Sequence, residues 1–338
     1  MEKPFISIII PTWRKSQILT HCLNSLLTQD YPKNRFEIVL VSKRKINPLS
    51  KKIKTILVER NKNHAEARNI GVNHARGEII AFCDDDCVLP QNWLATAADY
   101  FINKKADLIG GPVLPPQKTP FRYRVAGYLA GSRFTVGFAA PRHRSLFPEQ
   151  QANEFDLILA NTFIKRGVFE KFGGFDKDQV PCEENFLYAK LKNNGYNLLY
   201  SPTIACTHPA KPIFLPWAKK IFFYATGRGS MIARAPETFH PQYLVPSLFI
   251  FSLPVLAALS PFSLLAFSYL IAIILVYTIL NLGNAWYIFL KFEKNPLIFM
   301  VVPLGTFLIH LSYGFGFLKG FLHYLLGKRQ AVKMPSKY

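Results

Sequence analysis

Most of the chemistry legible in this chain lies in two acidic clusters, one histidine and a few arginines. Asp84, Asp85 and Asp86 stand in a row, Glu183 and Glu184 form a second acidic pair, and His208 precedes Pro209. Adjacent carboxylates repel one another, so a stable protein leaves them in water or uses them to hold a cation. Asp84 and Asp86, two residues apart, can both reach one hard metal ion that also grips diphosphate oxygens, as Mg2+ or Mn2+ prefers. In isolation such a triplet is more often a solvated turn, so its surroundings must decide. The glutamate pair has two readings of its own, ordinary acids at a helix N-terminus or a base that takes a proton from a hydroxyl. His208 fits a surface position or a metal shell. Cys83 and Cys87 flank the aspartates, but hard-cation chemistry prefers oxygen, which leaves them as buried thiols. Gly173-Gly174 reads as a turn rather than a phosphate cradle, since no lysine and hydroxyl follow it.

The elements that must position these residues alternate between strand and helix, which predicts an α/β unit with a mostly parallel sheet. Strands are expected at Phe5 to Ile10, Phe36 to Val41, Thr55 to Val58, Glu78 to Cys83, Asp107 to Val113 and Tyr196 to Tyr200. Helices are expected around Lys15 to Thr28, Ala65 to Ala75, Pro90 to Asn103, Arg166 to Phe172 and Glu183 to Asn194. Gly77 is expected as the left-handed residue closing the second helix. Leu114 to Glu154, rich in Pro, Arg, Gly and aromatics, reads as an irregular insertion of the kind that forms substrate loops. The aspartates follow a strand directly, and ligands of open α/β sheets bind beyond the carboxyl ends of strands.

From Tyr243 to Leu290 the sequence has no Lys, Arg, Asp or Glu, which predicts a membrane unit. Three apolar segments are read there, Leu244 to Ser260, Phe262 to Leu282 and Leu297 to Leu318. Lys211 to Arg234, basic and aromatic, is expected to lie in the membrane interface, with a packed helix as the alternative. With the N-terminal part inside, two crossings return the chain to Lys291 and Lys294 on the cytoplasmic side. A third would strand the basic tail outside. The last segment is therefore expected to be re-entrant or interfacial with a bend at Gly314 and Gly316, unless the first segment fails to cross. The expected organisation is 1–212 catalytic, 213–242 amphipathic, 243–327 with two to three apolar helices, and 328–338 a basic tail.

The net charge of +20 fits nucleic acid, an anionic membrane or a phosphorylated substrate. The apolar tail favours the last two, and no nucleic-acid motif is visible. The five cysteines are scattered, without the spacings of a zinc site or a disulfide scaffold, so a reducing compartment is expected. The apolar run at the start is too short for a signal-peptide core.

An ordered series surrounds the two acidic clusters. Ala67-Arg68-Asn69, Gly71, Ala75-Arg76-Gly77 and Ile79-Ile80-Ala81-Phe82 precede the aspartates; Asn161, Arg166, Phe169, Gly173-Gly174-Phe175-Asp176, Glu183-Glu184, Leu187, Gly195-Tyr196 and His208 follow them. In order and spacing this closely resembles the family 2 glycosyltransferases of the GT-A fold, over about residues 5 to 210. The resemblance implies an inverting transferase with a Rossmann-like mixed sheet, a nucleotide-sugar donor and Mg2+ or Mn2+. It places Pro11 and Thr12 at the base and ribose, with Arg68 and Asn69 contributing. Asp84, Asp85 and Asp86 match the metal and nucleotide-sugar motif, Asp86 as the direct ligand and Asp84 with it. His208 matches a late histidine of the metal shell, Glu184 the general base with Glu183 in reserve, and Arg228 a partner of the leaving diphosphate.

Two departures from the family pattern stand out. Ser42 occupies the position where relatives carry an aspartate for the base or ribose, which leaves base identity open, and Phe186 stands where a further acid is common. The Gln-X-X-Arg-Trp signature of processive synthases is missing, which disfavours polymerisation. The expected role is therefore single addition of a sugar to a lipid-linked or glycan acceptor in surface polysaccharide or glycolipid synthesis. The expected location is the inner or plasma membrane, with several passes and the catalytic domain in the cytoplasm. The alternatives are a polyprenyl-phosphate sugar synthase and an inactive, membrane-anchored nucleotide-binding protein.

Overall fold

A computed structural model describes residues 2–13, 17–46, 50–116 and 118–327. The basic tail 328–338 and the first residues of the helix expected from Lys15 lie outside the described residues. The chain divides into two compact units, Met1–Gln117 with Phe138–Pro209, and Lys118–Gly137 with Ala210–Tyr338.

The first unit is built on strands β1 (Ile6–Thr12), β2 (Phe36–Ser42), β3 (Ile53–Leu57), β4 (Ile79–Cys83), β5 (Leu108–Gly110), β6 (Val113–Leu114), β7 (Gln150–Gln151), β8 (Asn161–Lys165), β9 (Leu198–Tyr200) and β10 (Cys206–Thr207). Its helices are α1 (Gln17–Leu27), α2 (His64–Asn73) and α3 (Trp93–Asn103), then, after the two helices of the other unit named below, α6 (Arg166–Lys171) and α7 (Glu183–Asn193). The main sheet runs β3-β2-β1-β4-β8-β5-β9-β7, with β6 and β10 forming a small second sheet. The β1–β4 strands are mutually parallel, whereas β8 is antiparallel to both β4 and β5. Every residue of β1 and β2 is buried, as continuous β-branched runs require when both faces of a sheet are covered. Ile6, Ile8 and Ile10 enter one apolar core and Ile9, with Val39 and Val41, enters the other, the alternation that strand geometry imposes.

Helix α2 starts at a capping box in which the Asn63 side chain accepts from Glu66 N and the Glu66 carboxylate accepts from Asn63 N. It ends at His74, and Gly77 lacks the left-handed backbone expected of it. The glycine is needed for space instead, because a Cβ there would stand 2.5 Å from Ser7 N. Gly173, Gly174 and Gly195 do take positive φ of 76°, 74° and 78°.

The stretch expected as an irregular insertion contains α4 (Phe121–Ala130) and α5 (Arg133–Val136), and both belong to the second unit. The mixed aromatic, basic and small residues of Phe-Arg-Tyr-Arg-Val-Ala-Gly-Tyr-Leu-Ala bury Val125, Ala126 and Leu129 without a clean amphipathic period. That is why the pattern hid the helix.

The second unit continues with α8 (Leu215–Arg234), α9 (Val245–Leu259), α10 (Leu264–Lys291) and α11 (Ile298–Leu325). Helices α10 and α11 are long and apolar enough to cross a membrane, and α9, at 15 residues, is shorter. The helix is not interrupted at Gly314 and Gly316, where a bend was expected, since α11 runs through both. These glycines let backbones approach. A Cβ on Gly316 would stand 2.5 Å from Phe222 O and one on Gly320 1.9 Å from Thr226 O, while one on Gly229 would stand 2.1 Å from Phe317 O. Helix α8 is thus packed backbone to backbone on α11, in the small-residue manner of helix pairs in lipid.

Candidate active site

The parallel register sets Thr12 beside Ser42 at the carboxyl ends of β1 and β2. Strand β4, paired with β1, ends at Cys83, so the three aspartates leave the sheet at the same edge. Thr12 Oγ1 donates to Asp85 Oδ2 over 2.5 Å, which fixes the middle aspartate and leaves Asp84 and Asp86 to turn elsewhere. Ser42 is buried, and its Oγ accepts from Arg44 N at 3.1 Å. It therefore caps the turn that follows β2.

His208 reaches Asp86 through pairing that no local pattern announces. Val88 and Thr207 form an antiparallel bridge, with Val88 N donating to Thr207 O at 2.8 Å and Thr207 N to Val88 O at 2.9 Å. The bridge sets His208 Nε2 3.1 Å from Asp86 Oδ1 and 3.9 Å from Asp84 Oδ2. Burial alone would suppress the charge on this imidazole, but the hydrogen bond to Asp86, with Cys87 and Asp84 nearby, raises its pKa to about 9.

On the other side of Asp84 lies Arg68, buried on α2 rather than on an open helix face. Its guanidinium donates to Asp84 Oδ1 at 2.8 Å and to Glu183 Oε1 at 3.1 Å, while its Nε, also buried, has no partner. One cation thus ties the aspartate cluster to the start of α7. Cys182, immediately before α7, takes φ +80°, a left-handed backbone unusual for a side chain with a Cβ. Both glutamates are buried in the first helical turn, where the helix dipole favours negative charge. Burial, then the neighbouring Glu184, pushes the Glu183 carboxyl up to about 7, although Arg68 pulls the other way. Glu183 is held by Arg68, whereas the side chain of Glu184 makes no hydrogen bond among the described residues.

Asn69 stands apart from this cluster. Its Nδ2 donates to Phe175 O at 2.7 Å and its Oδ1 accepts from Phe175 N at 2.9 Å. Its amide latches the Gly173-Gly174-Phe175 turn. Arg166 likewise closes α2, donating to Ala75 O at 2.6 Å and Val72 O at 3.2 Å. Arg228 lies on α8 in the second unit, donating to Tyr243 Oη at 3.0 Å with its guanidinium 4.8 Å from that ring's centre.

Cys87 is the buried thiol that its sequence setting predicts, and it also adjoins the acidic cluster. Ligand atoms of Asp86, Cys87 and His208 all lie within 4.8 Å of one another. Four of the five scattered cysteines also converge, with Cys22 against Cys83, Cys83 against Cys87 and Cys87 against Cys206. Hydrogen bonds from Cys206 and Cys83 pull the Cys87 thiol well below its ordinary range.

A cluster of acid, thiol and imidazole that could hold a metal ion, set beyond a strand end and near an arginine tied to a helix bearing acids, is geometry that comparison with known proteins can test. Residues 7–173 match the model of glycosyl transferase family 2. The chain carries a family 2 glycosyltransferase domain. It is 26% identical over 235 residues to the glycosyltransferase AglE of Haloferax volcanii, covering 67% of this chain and 73% of that protein. It is 23% identical to a Methanococcus voltae dolichyl N-acetyl-alpha-D-glucosaminyl phosphate 3-beta-D-2,3-diacetamido-2,3-dideoxy-beta-D-glucuronosyltransferase, covering 94% of this chain and 97% of that one. Among solved structures it is similar to the mannosyltransferase PcManGT of Pyrobaculum calidifontis in complex with GDP-Man and Mn2+. That match has a TM-score of 0.57 and 19% identity, and covers 92% of this chain and 88% of the other. The fold is GT-A, and the chain is a glycosyltransferase.

Proposed function

We propose that this glycosyltransferase moves a sugar, with inversion, from a nucleotide-sugar to a lipid-linked or membrane-proximal acceptor. The arrangement that carries the reading is the line His208, Asp86, Asp84, Arg68, Glu183, which sets an ion site beside a pair of buried glutamates. The residues present fit a divalent ion, expected as Mg2+ or Mn2+, with Asp86 and His208 as ligands and Asp84 beside them. When bound, that ion would neutralise charge on the donor's diphosphate. The unpartnered, buried Arg68 Nε offers a further donor to an anion at the same edge. Thr12 and Ser42 close the nucleotide end of the edge.

Glu184 is the base. Its freedom from internal hydrogen bonds leaves its carboxylate able to accept a proton from an acceptor hydroxyl, and Glu183, committed to Arg68, positions the cluster. Attack on the face opposite the diphosphate inverts the anomeric carbon. The membrane part of the proposal rests on α10 and α11, which would cross the membrane and keep residues 1–212 on the cytoplasmic side of an inner or plasma membrane. Residues 213–242 would then form the juxtamembrane segment and 243–327 the membrane region.

The test is Glu184→Gln in the full chain in detergent, assayed for nucleoside diphosphate release with a panel of nucleotide-sugars and lipid extract. Turnover should fall by about 10²- to 10⁴-fold, the usual worth of a general base, with donor binding kept. Unchanged turnover would remove the base and favour an acceptor that is already an anion, a polyprenyl phosphate. No release with any donor from the parent protein would mean a binding protein without catalysis.

A further inference from the structure

We propose that Cys87 is a third protein ligand of the ion held by Asp86 and His208, so that the site prefers borderline transition ions such as Co2+ and Zn2+ over Mg2+. The inference rests on the ion-dependent reading above and narrows it. Its basis is the cluster in which Asp86 oxygen, Cys87 sulfur and His208 nitrogen lie within 4.8 Å of one another.

The backbone explains how two consecutive residues face one histidine. After β4 the chain turns tightly, with Cys87 N donating to Asp84 O at 3.2 Å, and the Val88–Thr207 bridge then pins the next residue. Cys87 is fully buried while Asp86 and His208 are each about a quarter exposed or less, so the sulfur closes the inner wall and the outer side stays open. That leaves room for a fourth ligand from the donor, as in sites that bind a reactant.

The donor set decides which ion profits. Mg2+ demands near-octahedral oxygen and keeps several waters, so a thiolate adds little to its binding. One carboxylate, one imidazole and one thiolate suit Co2+ and Zn2+ far better, and Mn2+ stands below both in the general affinity order.

The experiment uses the metal-stripped full chain in detergent, titrated with Co2+. A near-ultraviolet sulfur-to-cobalt charge-transfer band is expected, lost in Cys87→Ser and kept in Cys206→Ser and Cys83→Ser. Preference for Co2+ over Mg2+ should shrink in Cys87→Ser by at least about tenfold, since even residues that only support a ligand matter that much. X-ray absorption of the Zn2+-loaded parent, which needs no variant to fold, should show one sulfur at about 2.3 Å. Co2+ bound in equilibrium dialysis with no band and only nitrogen and oxygen neighbours overturns the role of Cys87 and leaves the ion site standing. A band that survives Cys87→Ser also overturns it. If Asp86→Ala and His208→Ala bind Co2+ as tightly as the parent, the ion-dependent reading itself falls, and this inference with it.

Discussion

The two units bring distant parts of the chain together with opposite materials. In the first unit a mixed sheet is covered on both faces by large apolar side chains, and the charges of the candidate site are held off that core in ion pairs, Arg68 with Asp84 and Glu183, Asp86 with His208. In the helical unit the tightest seam is made where side chains are missing, at Gly229, Gly316 and Gly320. Its polar side chains bond to one another and to backbone, Tyr277 with His310, Ser132 with Asn284, and Asn281 with Pro303 O. Where water surrounds the chain, burying apolar surface is the gain and large residues are retained. Where the surroundings are as apolar as the side chains, close backbone contact and internal hydrogen bonds do more.

Removing a charge from the first unit should test that contrast hardest. Arg68→Met leaves Glu183 buried without its cation and Asp84 without its anchor. Breaking a buried pair costs about 3–5 kcal/mol; because Asp84 keeps 35% side-chain exposure, the loss should fall at the lower end. Chemical denaturation of the full chain in detergent would measure it, and donor affinity should drop as well. A variant as stable as the parent would mean that the ion line is incidental to the fold.

A smaller effect separates two glycines of neighbouring helices. Gly320→Ala forces a methyl against Thr226 O and should destabilise the helical unit by about 1–3 kcal/mol, the usual cost of overpacking. Gly283→Ala on α10 meets nothing within 4 Å and should stabilise by up to about 1 kcal/mol through helix propensity. Thermal melts of both variants in one detergent would show the sign change. Equal shifts would mean that the seam between α8 and α11 is not what holds the unit.

A third contrast is a pH slope. Glu183 has a folded pKa of about 7, above its ordinary value near 4.3 in an unfolded chain. Between those values the folded form holds a proton that the unfolded form has released, so stability falls as pH rises through this window and levels off above it. Glu183→Gln should flatten that slope in denaturation at pH 5 and pH 8. An unchanged slope would assign it to other groups.

Much of this was written locally in the chain. The β-branched runs of β1 and β2, the helical spacing of Leu19, Cys22, Leu23 and Leu26, the triplet that follows β4 and the uncharged stretch that forms α9 and α10 are set by neighbours a few residues apart. Periodicity reports such features directly, because side-chain direction repeats with the backbone. What only the tertiary structure decided came from partners far apart in sequence. The Val88–Thr207 bridge brings His208 to Asp86, four scattered thiols line up as Cys22, Cys83, Cys87 and Cys206, Arg68 is buried between two acids, and the amide of Asn69 is taken up by Phe175. Strand pairing and helix packing set these contacts, and no window along the chain contains both partners. For the same reason Gly314 and Gly316 look like a bend in sequence, although what they supply is room for the neighbouring backbone.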